Sequence, residues 1–251
     1  MSKSELESMA GPQRKAAHAA PGPKRRGCEI DVRRVSKSIR GTEVLQDVSM
    51  TIPRGHTVGL SGPNGSGKTM LMRAMLGLIR PSEGEVAIDG ERLWKDISFP
   101  PSVGLLLEAP AFLSARSGLD NLCLLASIRG VVGKEVCETA MREVGLDPSD
   151  KRPFRKYSLG MKQRLGIAGA IMEEPDLLIL DEPTNALDAL GVQMLKRIVR
   201  REQRRGATIV LACHDADILH ELSGEVYYLA EGHVEGHEEL GSASRGDDDE
   251  A

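Results

Sequence analysis

The chain has 251 residues, 40% of them hydrophobic, which suits one large α/β domain or a core with a smaller insertion. Its formal net charge of −4 and its aromatic content of only 3% argue against the basic surface and stacking rings of a nucleic-acid-binding protein. Because no stretch approaches the roughly 18 apolar residues of a membrane span, and no apolar signal segment follows the N-terminus, we expect a soluble protein of the cytosol.

The two ends of the chain differ in charge from its middle. Residues 1–27 carry six basic and two acidic side chains, a net charge of +4, among many Ala, Pro and Gly residues. Residues 231–251 carry one basic and eight acidic side chains, a net charge of −7. Polar, low-complexity ends of this kind rarely bury enough apolar surface to fold. We predict a disordered basic arm over 1–27, a folded domain over 28–240 and a disordered acidic tail over 241–251.

Strands and helices alternate along the predicted domain. Strand patterns at Glu29–Val35 and Val44–Ile52 precede a short buried strand, Thr57–Leu60. A glycine-rich loop and an apolar helix over Met70–Leu78 follow, and then a hairpin at Gly84–Gly90. The remaining predicted elements are a helical region from about Leu119 to Val144, a helix at Gly160–Met172, a strand at Asp176–Leu180, a helix at Ala189–Arg204, a strand at Thr208–Ala212 and a hairpin near Val226–Val234. This order predicts an α/β fold with an inserted helical subdomain.

The glycine-rich loop matches the phosphate-binding pattern G-x-x-x-x-G-K-[ST] at every required position. The residues assigned to nucleotide binding are Gly62, Pro63, Asn64, Gly65, Ser66, Gly67, Lys68, Thr69 and Met70. Lys68 would reach the β and γ phosphates, and the Thr69 hydroxyl would be a ligand of Mg²⁺. A flexible loop that ends in Gly-Lys-Thr by chance is the alternative, but the strand before the loop and the helix after it favour a nucleoside triphosphate site.

A second nucleotide motif follows at the strand Leu177–Leu180, whose four hydrophobic residues lead into Asp181 and Glu182. Ligands of open α/β sheets bind at the carboxyl ends of the strands. Asp181 would orient Mg²⁺ or its waters, and Glu182 would accept a proton from the water that attacks the γ phosphate. Alone, an apolar strand that ends in two acidic residues is weak evidence for a nucleotide site. Together with the phosphate-binding loop, it becomes strong evidence.

The segment Tyr157–Arg164 reads Tyr-Ser-Leu-Gly-Met-Lys-Gln-Arg. With the two nucleotide motifs, it makes the chain resemble the ATP-hydrolysing subunit of an ABC transporter, whose signature is Leu-Ser-Gly-Gly-Gln. Ser158 and Gly160 match that signature, whereas Leu159 and Met161 depart from it. The resemblance covers about residues 28–240 and implies a P-loop NTPase (RecA-like) core with a mostly parallel sheet, an antiparallel β subdomain and a helical subdomain inserted at about 105–165.

The resemblance also implies roles for residues outside the phosphate-binding loop. Ser158 and Gly160 would contact ATP bound on the opposite subunit, so the working form would be a dimer with two nucleotides between the chains. Asp188 would lie in the segment that crosses the dimer interface, and His214 would contact the γ phosphate. The alternative for Ser158 is an ordinary helix cap, and the alternative for His214 is a surface histidine at the end of a strand.

Two positions depart from the family pattern. Glu108 stands where most members carry glutamine, and a carboxylate there could be a full-charge ligand of Mg²⁺. This glutamate and the altered signature are similar to the subgroup that exports bacitracin-like and lantibiotic peptides. Ile39 stands where an aromatic residue commonly stacks on adenine, so base recognition would be looser.

The resemblance implies an ATP- and Mg²⁺-dependent ATPase that drives an exporter of a drug, a peptide antibiotic or a lipid-like cargo. Its partners would be a second ATPase chain, as a homodimer, and a separate polytopic membrane subunit docked near Glu108–Leu113. The protein would then be cytoplasmic and peripheral at the inner face of the cell membrane, with no nucleic-acid partner. A soluble ABC-type ATPase acting in cytosolic assembly is the alternative, and a small-molecule kinase explains Tyr157–Arg164 less well.

Overall fold

The computed structural model describes residues 26–240, so the predictions for the basic arm before Arg26 and for the acidic tail after Leu240 lie outside the described residues. The strands are β1 (Ile30–Ile39), β2 (Thr42–Ile52), β3 (Thr57–Ser61), β4 (Glu83–Ile88), β5 (Glu91–Arg92), β6 (Val103–Leu106), β7 (Leu177–Asp181), β8 (Thr208–Ala212), β9 (Glu225–Ala230) and β10 (His233–Glu239). The helices are α1 (Lys68–Met75), α2 (Gly118–Arg129), α3 (Lys134–Glu143), α4 (Leu159–Ile171), α5 (Ala189–Arg205) and α6 (Ala216–Leu222), with a 3₁₀ turn at Phe154–Lys156.

The strands form two sheets. The main sheet has six strands in the order β10-β9-β3-β8-β7-β6, in which all neighbours from β9 to β6 are parallel and only β10 pairs antiparallel. The second sheet is antiparallel and has the order β2-β1-β4-β5. This arrangement confirms the predicted fold class of a mostly parallel core with an antiparallel β subdomain.

The main sheet separates two hydrophobic cores, and successive residues of its central strands face opposite cores. In β7, Leu178 and Leu180 join the core formed with α2 to α6, whereas Leu177 and Ile179 join the core formed with α1 and the antiparallel sheet. A strand with both faces covered needs a continuous hydrophobic sequence rather than an alternating one. This explains why the run of four hydrophobic residues predicted a central strand.

The helices α2 and α3 lie within the range predicted for an inserted helical subdomain. At the start of the predicted range of about 105–165, Leu105 and Leu106 lie in β6 and pair with Ile179 and Leu180 of β7 in the main sheet. The strand β6 and the helix α6 were not predicted from the sequence. The division into arm, domain and tail remains a proposal, and Gly27 already contacts the domain through its N–H, which lies 3.4 Å from Asp176 Oδ1.

Candidate functional site

The phosphate-binding loop connects β3 to α1 at the carboxyl edge of the main sheet. Gly62 has φ +145°, and a Cβ atom there would lie 2.1 Å from the carbonyl oxygen of Leu229. Gly67 caps α1 with φ +105°, and a Cβ atom there would lie 3.0 Å from the carbonyl oxygen of Val44. Both positions therefore require glycine, which adopts positive φ without a steric cost and lets the backbone pass close to its neighbours.

Two buried polar side chains of the loop are suited to bind phosphate. Lys68 is only 7% exposed, and its Nζ donates to the carbonyl oxygens of Gly62 at 2.6 Å and Pro63 at 3.1 Å. Ser66 is 2% exposed, and its Oγ has no hydrogen-bond partner among residues 26–240. A buried hydroxyl without a partner costs free energy, so the loop is adapted to a polar ligand. The N-terminus of α1 adds backbone N–H groups that favour an anion.

Thr69 and Asp181 meet although 112 residues separate them in sequence. The Thr69 hydroxyl donates to Asp181 Oδ2 at 2.6 Å, and Asp181 is 4% exposed at the end of β7. No group of three or more His, Cys, Asp or Glu side chains that could hold a metal occurs among residues 26–240. One hydroxyl and one carboxylate suit Mg²⁺, which keeps several waters and is usually completed by substrate phosphates.

Glu182 follows Asp181 in a left-handed backbone conformation, with φ +50°. Its N–H donates to the carbonyl oxygen of Ala212 at 2.9 Å, and its Oε2 accepts from the N–H of His214 at 3.2 Å. The second oxygen, Oε1, is buried without a hydrogen-bond partner in the described chain, although His214 Nε2 lies 3.2 Å away. This carboxylate therefore keeps one oxygen that can accept a proton or a hydrogen bond.

Glu108 lies beside the phosphate-binding loop but contacts a basic residue. Its Oε1 accepts from Arg73 Nη2 at 2.7 Å, and its backbone has φ +55°. A cavity of about 560 Å³ is lined by Glu108, the loop, Asp181, Glu182 and the beginning of α4. The structure thus brings Lys68, Thr69, Asp181, Glu182 and Glu108 together around one space.

Some of the predicted site residues do not line that cavity, although their neighbours Leu159, Lys162 and Ala186 do. Ser158, Gly160, Asp188 and His214 are not among its lining residues within 26–240. Ser158 is exposed, and its Oγ accepts from the N–H of Met161 at 3.2 Å, as a cap of α4. Asp188 caps α5 by accepting from the N–H of Gly191 at 2.8 Å. This hydrogen bond and the neighbouring Arg164 guanidinium lower the pKa of the Asp188 carboxyl.

Sequence reasoning missed two residues at the site. Val44 at the tip of the antiparallel sheet lines the cavity, whereas Ile39 is 40% exposed at the end of β1. Gln163 is buried on α4, and its side chain reaches the backbone of Glu182. Its position within the signature-like segment could have drawn attention to it, but the sequence carries no sign of that contact.

A family model describing the ABC transporter matches residues 45–185, which hold both nucleotide motifs and the signature-like segment. The chain belongs to the ABC transporter family. It is accordingly an ABC ATPase that binds and hydrolyses ATP, as the resemblance implied, and the residue assignments within the site remain predictions.

The relatives of this ABC ATPase include named transport proteins. The chain is 43% identical over 84% of its length to an uncharacterised ABC transporter ATP-binding protein of Bacillus subtilis (strain 168), and it covers 97% of that protein. It is 38% identical to the bacitracin transport ATP-binding protein of Enterococcus faecalis, over 82% of this chain and 67% of that one. It is 35% identical to a lantibiotic transport ATP-binding protein of Streptococcus pyogenes, over 82% of this chain and 88% of that one.

Solved structures of ABC cassettes share the fold. An ATP-binding subunit of an ABC transporter aligns with a TM-score of 0.77 and 28% identity, over 84% of this chain and 90% of that one. A dimeric cassette in a post-hydrolysis state with ADP and Pi aligns with a TM-score of 0.74 and 25% identity, over 84% of this chain and 98% of that one. Among residues 26–240, no helix of this ABC ATPase is long and apolar enough to cross a membrane.

Proposed function

We propose that this ABC ATPase drives an exporter, with a drug, a peptide antibiotic or a lipid-like molecule as cargo. The observation that carries the catalytic part is the cavity in which the phosphate-binding loop faces Asp181 and Glu182, the latter with a buried oxygen that lacks a hydrogen-bond partner. The exporter part is supported by the names of the relatives, which include bacitracin and lantibiotic transport proteins.

The side chains around the cavity would divide the work of hydrolysis. Lys68 would leave the loop carbonyls that it now contacts and bind the phosphates, because an ammonium group gains more from an anion than from neutral carbonyls. Thr69 and Asp181 would hold Mg²⁺, which when bound neutralises phosphate charge. Glu182 would take the proton of the attacking water, and His214, whose ring lies 3.2 Å from that carboxylate, would contact the γ phosphate.

The working unit that we propose is a homodimer. Ser158, Gly160 and Asp188 do not line the cavity of their own chain, although Leu159 does, and the resemblance assigns Ser158 and Gly160 to the site of a second copy. The exposed N-terminus of α4, next to Ser158, offers backbone N–H groups to an anion from outside the chain. The dimeric cassette among the solved neighbours has the same fold.

A separate polytopic membrane subunit would dock on an apolar groove of about 610 Å³ between β6, α2 and α4. The segment Ala109–Leu113 lines this groove, and Ile128 on α2 is 76% exposed there. Asn121 fixes the segment, because its side chain accepts from the N–H of Leu113 at 2.8 Å and donates to the carbonyl oxygen of Leu113 at 3.1 Å. Exposed apolar surface of this extent is typical of a protein contact. Docking there would hold the chain at the inner face of the cell membrane.

The experiment that tests the catalytic part is Glu182→Gln. We expect bound ATP without turnover and a dimer that persists in MgATP, measured by phosphate release and by light scattering. Undiminished phosphate release would remove Glu182 from the role of the base. If the Glu182→Gln chain stays monomeric in saturating MgATP with the membrane subunit present, the proposal that two chains share each nucleotide site is contradicted.

Purification in detergent tests the transport part. We expect a polytopic subunit to co-purify with the chain, and Ala111→Asp in the groove to abolish that association while ATP binding stays intact. Efflux of peptide or drug should be lost with Lys68→Ala. A chain that hydrolyses ATP but never associates with a membrane subunit would favour the cytosolic assembly role.

A further inference from the structure

The first half of α4 contacts the segment Glu182–Asp188 at three places. Near the start of that segment, Gln163 reaches the backbone of Glu182. In its middle, a Cβ atom on Gly160 would lie 2.8 Å from the carbonyl oxygen of Ala186. At its end, Arg164 reaches Asp188. One helix thus holds the catalytic glutamate and the segment expected at the dimer interface.

Gln163 makes the first of these contacts from a buried position, at 6% exposure. Its Nε2 donates to the carbonyl oxygen of Glu182 at 3.2 Å and to that of Pro183 at 3.1 Å. One amide group therefore ties two consecutive peptide units to α4. A buried amide that lost these partners would leave polar groups unpaired, so the contact is specific to a donor of this length.

The backbone at Glu182 needs such support. Glu182 has φ +50°, a conformation that costs a residue other than glycine about 1–2 kcal/mol. Residues held in such conformations keep them only where the surroundings determine the backbone. The N–H of Glu182 donates to the carbonyl oxygen of Ala212 at 2.9 Å, and its own carbonyl oxygen accepts from Gln163 Nε2 and from the N–H of Asn185, both at 3.2 Å. The direction of its carboxylate therefore depends on both β8 and α4.

Arg164 makes the last contact from a slot between two glycines. Its Nη2 donates to Asp188 Oδ1 at 2.9 Å, and its Nη1 donates to the carbonyl oxygen of Val144 at 2.8 Å. Cβ atoms on Gly145 and Gly191 would lie 2.9 Å and 3.1 Å from these nitrogens. The two glycines therefore make room for the guanidinium group, which joins the end of α3 to the beginning of α5.

The second half of the same helix packs against the apolar groove. A Cβ atom on Gly166 would lie 2.5 Å from Pro110 Cγ and 2.8 Å from Leu106 Cδ1, so α4 and the groove segment are in close contact. A displacement of Pro110 would therefore press on α4 directly, because packed interiors transmit strain. The three contacts with Glu182–Asp188 lie within two turns of Gly166.

We propose that Gln163 and Arg164 are positioning residues, which fix the segment Glu182–Asp188 to α4 so that the catalytic carboxylate moves with this helix. The inference rests on the proposed role of Glu182 as the base. Gln163 sets the direction of Glu182, and Arg164 sets the position of Asp188. Pressure on the groove reaches the site of hydrolysis through α4.

The test uses Gln163→Met in the full chain with its membrane partner. Methionine has a similar length but no donor. We expect kcat to fall roughly tenfold to a hundredfold, as for a misplacement of about 1 Å, while KM for ATP stays within about twofold, because the nucleotide contacts are unchanged. The matched control is Gln193→Met, at an exposed position of α5, which should leave both constants unchanged. A kcat of Gln163→Met equal to the wild-type value would overturn the proposal.

A double variant separates positioning from general damage to the fold. In the Glu182→Gln background, Gln163→Met should cause no further loss of the single-turnover rate, because its effect passes through Glu182. A further loss of the same size as in the wild type would contradict the proposal, as would a fall in kcat fully explained by unfolding in a thermal melt. Arg164→Lys should lower kcat roughly tenfold, because lysine cannot span both acceptors. Wild-type turnover by Glu182→Gln would instead refute the proposed function itself.

Discussion

Two glycines on α4, three residues apart, give opposite predictions for the same substitution. A Cβ atom on Gly166 would lie 2.5 Å from Pro110 Cγ, whereas on Gly169 it would lie 3.4 Å from Phe112 Cζ, an ordinary contact. Alanine stabilises a helix by about 0.5–1 kcal/mol relative to glycine, and overpacking costs about 1–3 kcal/mol. Gly169→Ala should therefore raise the free energy of unfolding by up to about 1 kcal/mol, and Gly166→Ala should lower it by about 0–2.5 kcal/mol.

Denaturant unfolding of the purified chain, followed by circular dichroism, measures both changes, and thermal melts give an independent reading. A change of 1 kcal/mol corresponds to a shift of about 2–4 °C in Tm for a domain of this size. Because Gly166 also faces the groove segment, Gly166→Ala should weaken co-purification with the membrane subunit, and Gln193→Met at the exposed position of α5 serves as the control. If Gly166→Ala raises Tm as Gly169→Ala is expected to do, the close contact between α4 and Pro110 is wrong.

Three further predictions concern the nucleotide site. Glu108→Gln should leave ATP binding and Tm nearly unchanged, since the exposed ion pair between Glu108 and Arg73 contributes about 0–1 kcal/mol to stability. The substitution should, however, alter the Mg²⁺ dependence of hydrolysis. Identical Mg²⁺ titrations of the two proteins would refute direct ligation of Mg²⁺ by Glu108. Thr69→Val should destabilise the nucleotide-free chain by about 1.5–3 kcal/mol, the value of a hydrogen bond to a charged group, and should reduce the rise in Tm caused by MgATP. Gly62→Ala should abolish binding of a fluorescent ATP analogue, because the new methyl would overlap the carbonyl of Leu229; tight binding would show that the loop can shift.

The sequence predicted most of the fold because its strongest signals are local. The apolar run Leu177–Leu180 and the glycines of the phosphate-binding loop each determine their own backbone, so β7 and the turn into α1 were predicted correctly. The short strand β6 was missed because its four residues, Val103–Leu106, are too few to show a hydrophobic periodicity. The helix α6 was missed because its seven residues are also too few to show a clear hydrophobic periodicity.

The contacts of the site were harder to foresee because they join distant parts of the chain. The motif implied that Thr69 and Asp181 both serve Mg²⁺, but their direct hydrogen bond depends on the order of the strands. The pair between Arg73 and Glu108 and the reach of Gln163 to Glu182 have no motif at all. Such contacts depend on how α1 and α4 pack on the sheet, which periodicity does not specify.

The two cores on either side of the main sheet limit how this ATPase can move. A slip of β7 by one residue along β8 would turn Leu178 and Leu180 toward the wrong core, together with every other side chain of the strand. Burial on both faces therefore fixes the register of the strands in this sheet. Under the proposed function, a change of shape would therefore have to come from the packing of α2, α3 and α4 on the sheet rather than from the register of its strands.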